Sequence, residues 1–273
     1  MGTLFFKHPF VCRHATKGQI RVDALKYVHA IELGNVKAFI IEGEKNILVD
    51  TGVKPVPEDI LSFFERGGIK LGDARQVEYL RRGSYHHIMK YIGEKGLKID
   101  AIICTHYHTD HTGCLKQLKE TLKVPVAMHE LDIPVIEGLV EPPPSTVLPP
   151  KLAAHFTITP CTIDIPLHHD QLFTPDLRII HLEGHTAGNI CILYKDEVLL
   201  PGDSIMGKNL LNPAMGPDEI NPPLSNASLD RVKAIANLKK LLDYKFSVIL
   251  PSHGEPITEN ARNKLKEFVA SVT

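Results

Sequence analysis

The sequence predicts an α/β protein made of two similar β-rich halves flanked by helices. Three observations lead there. Short apolar runs of strand type alternate with stretches of helical periodicity along most of the chain. A proline-crowded segment, "EPPPSTVLPP", stands between two strand-rich series. Apolar runs also end abruptly in ligand-type residues, at Asp50, His106, His185, Asp203 and His253. Loops leave the core of an open α/β sheet at its strand ends, so residues placed there can converge.

The elements follow in order. "QIRVDALKYVHAIEL" is long and partly alternating, "VKAFIIEG" is short and apolar, and "NILVDTG" ends in a turn, so all three read as strands. Positions 54–96 hold a loop around "RGGIKLGD" and a helical pattern from Gln76 to Glu94. "IDAIICTHYHTDHTG" is a buried strand running into a His-rich loop. After it come a helix at "CLKQLKETL", a strand at "VPVAMH" and a short helix in "ELDIPVIEGLV". The proline segment, Glu141 to Pro150, is stiff and extended, a linker or a lid. The second series has strands at "CTIDIPL", "LRIIHLEGH", "NICILYKD" and "EVLLPGDS". A Pro/Asn-rich loop from Leu210 to Asn226, a helix "ASLDRVKAIANLKKLL", a strand "FSVILPSHGEP" and a helix from Thr258 complete the chain.

Composition narrows the function. The 273 residues are 43% hydrophobic, enough for a substantial core. With 31 basic and 32 acidic side chains there is no electrostatic footprint for nucleic acid, and a small-molecule substrate is expected instead. No apolar run approaches the roughly 18 residues of a membrane span. The start, "MGTLFFKHPFVCRH", lacks an h-region and cleavage site, and the five cysteines are scattered without C-x-x-C, so a reducing cytoplasm is expected.

"CTHYHTDHTG" packs three histidines and an aspartate between His106 and His111. Neutral imidazole and carboxylate are good ligands for zinc and other first-row divalent ions. In an extended loop His106 and His108 point the same way and can share one ion. Asp110 and His111 would diverge in a strand, but a loop turning into a helix can aim both at a second ion. Gly113 then suits a tight backbone approach. His185, Asp203 and His253 at later strand ends can complete two sites, with the two oxygens of Asp203 as the obvious bridge. The other histidines read as ordinary surface or core residues. Neighbouring near-motifs fail. "GDSIMGKN" has Asn209 where a phosphate loop needs a hydroxyl, "MHELDI" is not H-E-x-x-H, and no G-x-S-x-G elbow exists.

H-x-H-x-D-H followed by separated His, Asp and His resembles the metallo-β-lactamase superfamily over nearly the whole chain, and "LVDTG" resembles its early Asp-Thr-Gly turn. That resemblance implies a four-layered αββα sandwich, one domain over 1–273 with an inserted segment at about 54–98. It implies His106, His108 and His185 on one metal, Asp110, His111 and His253 on the other, Asp203 shared, and Asp50 supporting the metal loop from behind. Two ions about 3.5–4 Å apart would hold a hydroxide as nucleophile, with Asp110 orienting it or shuttling its proton. Zinc is the default ion, with iron, manganese or cobalt also suited.

Within the superfamily, Asp203 argues against a true β-lactamase, and His108 stands where the di-iron oxygen reductases carry glutamate. A nuclease would be expected to add a domain or basic arm. Glyoxalase II-like thioesterases share the ligand set but draw glutathione contacts from a C-terminal helical domain, and only twenty residues follow His253 here. Homoserine-lactonase-like enzymes share the long insertion before the metal loop, although a tyrosine after their bridging aspartate is replaced by Met206. The expectation is a dinuclear metal-dependent hydrolase of lactones or carboxylic esters. A thioesterase, a phosphodiesterase and a non-catalytic metal-binding relative are the alternatives. Tyr107 between two ligands, and Phe63, Phe64, Tyr79, Tyr85 and Tyr91 in the insertion, could touch substrate but suit packing at least as well.

Overall fold

Side chains alternate across each strand, and that parity sorts the core of the computed structural model, which describes residues 23–67, 74–143, 154–208 and 219–272. One sheet runs in the order β1 (Val28–Glu32), β2 (Lys37–Ile41), β3 (Ile47–Val49), β4 (Ala101–Ile103), β5 (Val126–His129) and β6 (Ile165–Leu167). Its first three strands are antiparallel, with Val28 opposite Ile41, and β3 to β6 are parallel. The other sheet takes β7 (Leu172–Thr174), β8 (Leu177–His181), β9 (Ile190–Tyr194), β10 (Val198–Leu200) and β13 (Val248–Ile249). There β13 lies parallel to β10 at the far edge from β7, and the remaining pairs are antiparallel.

The inner faces meet in one apolar layer, where Phe39, Val49 and Ile103 of the first sheet pack with Ile179, Ile192 and Leu200 of the second. Neighbours of opposite parity face outward. Ile40, Leu48 and Ile102 meet Ile88 and Ile92 of α3 (Ser84–Lys95) and Leu115 and Leu118 of α5 (Leu115–Leu122). Ile180, Leu193 and Leu199 meet Leu265 of α8 (Ala261–Val272) and Leu238 and Leu241 of a 3₁₀ turn. Two helix layers around two sheets give the αββα sandwich.

Several expectations change. The run at "CTIDIPL" joins the first sheet, because β6 pairs in parallel with β5 and the Asp164 carboxylate accepts from Val126 N at 2.8 Å. Residues Asp23–Tyr27 form a 3₁₀ turn where a strand was expected. The helical pattern from Gln76 to Glu94 is two helices, α2 (Ala74–Arg82) and α3, interrupted at Gly83. An unforeseen helix precedes them, α1 (Glu58–Arg66), which buries Leu61 and Phe64 and leaves Phe63 at the surface. The helix expected from Ala227 begins only after Asp230, whose side chain caps Lys233 N, as α7 (Arg231–Asn237). Strand β7 and the ribbon of β11 (Met206–Gly207) with β12 (Ile220–Asn221) were too short to stand out. Most of the "RGGIKLGD" loop, positions 144–150 of the proline segment and 210–218 of the later loop lie outside the described residues. Among the described residues, no helix is long and apolar enough to cross a membrane.

At the end of β5, the His129 ring stacks on His181 of β8 with centroids 3.9 Å apart, joining the two sheets. Burial, with His181 alongside, lowers the His129 pKa from 6.5 to about 4. A base depressed in the folded state contributes stability above its unfolded pKa, and that contribution disappears as pH falls. Urea midpoints of the wild type should therefore fall between pH 6.5 and 4 by more than those of His129→Gln. Equal falls in both proteins would contradict this account.

Candidate metal centre

The parallel strands β3, β4, β10 and β13 deliver their following loops to one edge of the sandwich. Asp50, just past β3, has a left-handed backbone with φ of 60°, a conformation aspartate tolerates better than most residues. Its carboxylate accepts from Thr105 N at 2.8 Å, from Thr105 Oγ1, and from His111 Nδ1 at 2.8 Å. The backbone tightens the same joint, with Thr51 N donating to His111 O and Gly113 N to Gly52 O. A Cβ on Gly113 would lie 2.6 Å from Lys54 N and Thr109 O, so this close approach requires glycine. Within the loop the chain makes one short helix, α4 (Thr109–Thr112), which places Asp110 and His111 in a different group from His106 and His108.

All seven side chains expected at the site converge, in two groups. His106, His108, His185 and Asp203 form one, and Asp110, His111 and His253 the other; in each, the possible ligand atoms lie within 4.8 Å of one another. His108 Nδ1 stands 3.0 Å from both His106 Nε2 and His185 Nε2. Asp203 reaches both groups, with Oδ2 3.4 Å from His185 Nε2 and Oδ1 3.2 Å from His111 Nε2 and 3.5 Å from His253 Nε2. Asp110 Oδ2 is 3.3 Å from His253 Nε2.

The surrounding oxygens determine which ring nitrogen faces inward. Thr105 Oγ1 donates to Asp50, so toward His106 Nδ1, 3.0 Å away, it can only accept. Ser228 Oγ donates to Leu224 O and so accepts from His185 Nδ1 at 3.1 Å. Asn35 O accepts from His253 Nδ1 at 2.6 Å, and Asp50 from His111 Nδ1. Four imidazoles thus place their Nδ1 hydrogens on outer oxygens and turn Nε2 to the centre, where a neutral ring presents a lone pair.

Charge follows the same division. Burial and neighbouring histidines hold His106 well below its ordinary pKa and lower His185 to about 3. Burial would lower His111 and His253 too, but nearby carboxylates, Asp203 foremost, outweigh it and raise both. Burial would raise Asp110 and Asp203, yet His111 and His253 hold both ionised, below the ordinary carboxylate range. His111 Nε2, His253 Nε2 and Asp203 Oδ1 are buried without a hydrogen-bond partner. Buried polar atoms that face one another without hydrogen bonding fit a shared cation, and the donor set of imidazoles and carboxylates suits first-row divalent metals.

A family model described as the metallo-beta-lactamase superfamily matches residues 31–253. The chain belongs to that superfamily. Along 95% of its length and 96% of the relative's, it is 25% identical to the probable metallo-hydrolase YflN of Bacillus subtilis. A hydroxyacylglutathione hydrolase of Pelagibacter ubique is 30% identical over 43% of the chain and 41% of its own length. The crystal structure of TTHA1623 in a di-iron-bound form superposes with a TM-score of 0.52, at 22% identity, over 85% of this chain and 94% of that one. Members of the superfamily bind divalent metals, typically two.

Several residues that shape the centre left no mark in the sequence. Asn35 and Ser228 sit in loops far along the chain from the histidines they orient, and one acts through its backbone carbonyl. Thr105 lies just past β4 and Asp132 precedes a short helix, positions that carry no metal-site signal of their own. Tyr107 is buried against the helix-facing core, and Met206 is buried as well. Long-range ¹H–¹⁵N spectra at neutral pH should find His106 and His185 protonated at Nδ1, and Ser228→Ala should perturb His185 alone of the two. Nε2-protonated rings would contradict the assigned orientation.

Proposed function

We propose that this protein is a dinuclear metal-dependent hydrolase acting on a small lactone or carboxylic ester. The observation that carries the reading is the meeting of six side chains from three loops around the two oxygens of Asp203. His106, His108 and His185 would hold one divalent ion and Asp110, His111 and His253 the other, with Asp203 giving an oxygen to each. Such a pair, zinc by preference and iron, manganese or cobalt by donor chemistry, supplies Lewis acidity and brings the pKa of water towards neutrality.

The chain's own groups do the rest. Asp110 opens to solvent, its side chain 41% exposed against 6% for Asp203. Its carboxylate can accept the proton of the attacking water and return it to the leaving alkoxide. Asp50, Ser228 and Asn35 keep the imidazoles aimed, so no reorganisation is needed as charge develops. Leu229, whose N–H donates to His185 O, offers exposed apolar surface beside the first group and suits an acyl chain. The helices between β3 and β4 occupy the segment on which the lactonase-like resemblance rests, and this supports the reading.

A thioesterase is the second reading, favoured by the likeness to the hydroxyacylglutathione hydrolase. Elemental analysis joined to hydrolysis of lactones, carboxylic esters, thioesters and a bis-aryl phosphate tests both. The expected result is two ions per chain, lactones or esters turned over fastest, activity lost on chelation and restored by zinc. Asp203→Ala should lose metal and rate together, by more than the roughly 10–100-fold typical of removing an outer partner. Undiminished hydrolysis by fully metal-free protein would refute the mechanism; fastest turnover of thioesters would favour the second reading.

A further inference from the structure

Asp132 is completely buried and stands at the N-cap position of α6 (Ile133–Ile136). An aspartate there ordinarily accepts from the first backbone N–H groups of its own helix. This one makes no such bond. Its carboxylate turns the other way, with Oδ2 accepting from Tyr107 N at 3.1 Å and Thr186 Oγ1 at 2.7 Å, and Oδ1 from Gly188 N at 2.6 Å. Tyr107 separates His106 from His108, and Thr186 follows His185. One carboxylate therefore grips both loops that carry the three histidines of the first group.

The grip is close. A Cβ on Gly188 would lie 2.8 Å from Asp132 Cγ and Oδ1, so the loop after His185 can reach the carboxylate only with glycine at that position. The backbone also ties these two loops, through Ile190 N donating to Thr105 O. Asp50, the carboxylate behind the metal loop, bonds within 105–111 and does not reach the His185 loop. The three donors to the buried Asp132 carboxylate each lie on a ligand-bearing loop.

We propose that Asp132 is a positioning residue that sets the His106–His108 pair against His185 and so tunes metal affinity at the first group selectively. The inference rests on the proposed dinuclear reading. Asp132→Asn keeps one acceptor but turns an N–H₂ towards a backbone N–H, that of Gly188 or of Tyr107, while Thr186→Val removes one donor and leaves the carboxylate in place.

The test is zinc binding by the full chain in chelator-buffered solution, read as stoichiometry and affinity, alongside the melting temperature of the metal-free protein. Cobalt absorption reports the geometry of the first group. The expected result for Asp132→Asn is roughly 10–100-fold weaker binding of one ion of the two, with an altered cobalt spectrum. Thr186→Val should move in the same direction by less, and Asp132→Glu should recover part of the loss. Unchanged affinity for both ions in Asp132→Asn would overturn the proposal, as would a lower metal-free melting temperature with unchanged affinity. Should Asp132→Asn fail to fold, wild-type affinity in Thr186→Val would overturn it. Wild-type protein that binds no zinc would instead remove the dinuclear reading, and this inference with it.

Discussion

Four imidazoles give their Nδ1 hydrogens to oxygens of the surrounding loops, and the rest of the site depends on that outward bonding. A neutral histidine has one donor and one acceptor nitrogen. Once Thr105, Asp50, Ser228 and Asn35 take the Nδ1 hydrogens of His106, His111, His185 and His253, Nε2 of each ring must face inward, as an acceptor whenever the ring is neutral. His108 completes the set by presenting its Nδ1 to two of them at 3.0 Å. The ionised carboxylates of Asp110 and the buried Asp203 call for positive charge among these nitrogens; that pull raises the pKa of His111 and His253, and a cation can supply the charge instead. The fold therefore builds a demand for cations into its own hydrogen bonding.

The sandwich makes that arrangement reachable. Parallel β3 and β4 send Asp50 and the His-rich loop out side by side, and parallel β10 and β13 do the same for Asp203 and His253. Because the two sheets pack face to face through an apolar layer, the two pairs of loops meet across the sandwich edge. Carboxylates then join them. Asp50 fastens the metal loop to the turn after β3, and Asp132 ties that loop to the one carrying His185.

Much of this was legible in the residues. The spacing from His106 to His111 and the strand-end positions of Asp50, His185, Asp203 and His253 name the whole converging set, because strand ends are where a local pattern and the global fold coincide. The outer partners were hidden for a different reason. Asn35 acts through a carbonyl that every residue possesses, Ser228 is a common loop residue, and Asp132 looks like a cap for the helix it precedes. Their roles come from tertiary proximity that no local pattern encodes. In the fold, the apolar strands and α5 emerged at once, whereas α1 was missed and the pattern from Gln76 to Glu94 ran through the break at Gly83. β6 was assigned to the wrong half because strand pairing depends on where the chain returns after the proline segment. The ribbon of β11 and β12 was too short for periodicity to register.

The central claim is that Asp203 stands between two metal ions. Anomalous diffraction at the zinc edge from crystals of zinc-loaded protein tests it most directly. The account predicts two peaks about 3.5–4 Å apart, one among His106, His108 and His185 and one among Asp110, His111 and His253, with the Asp203 carboxylate between them. A single peak, or peaks elsewhere on the chain, would contradict it.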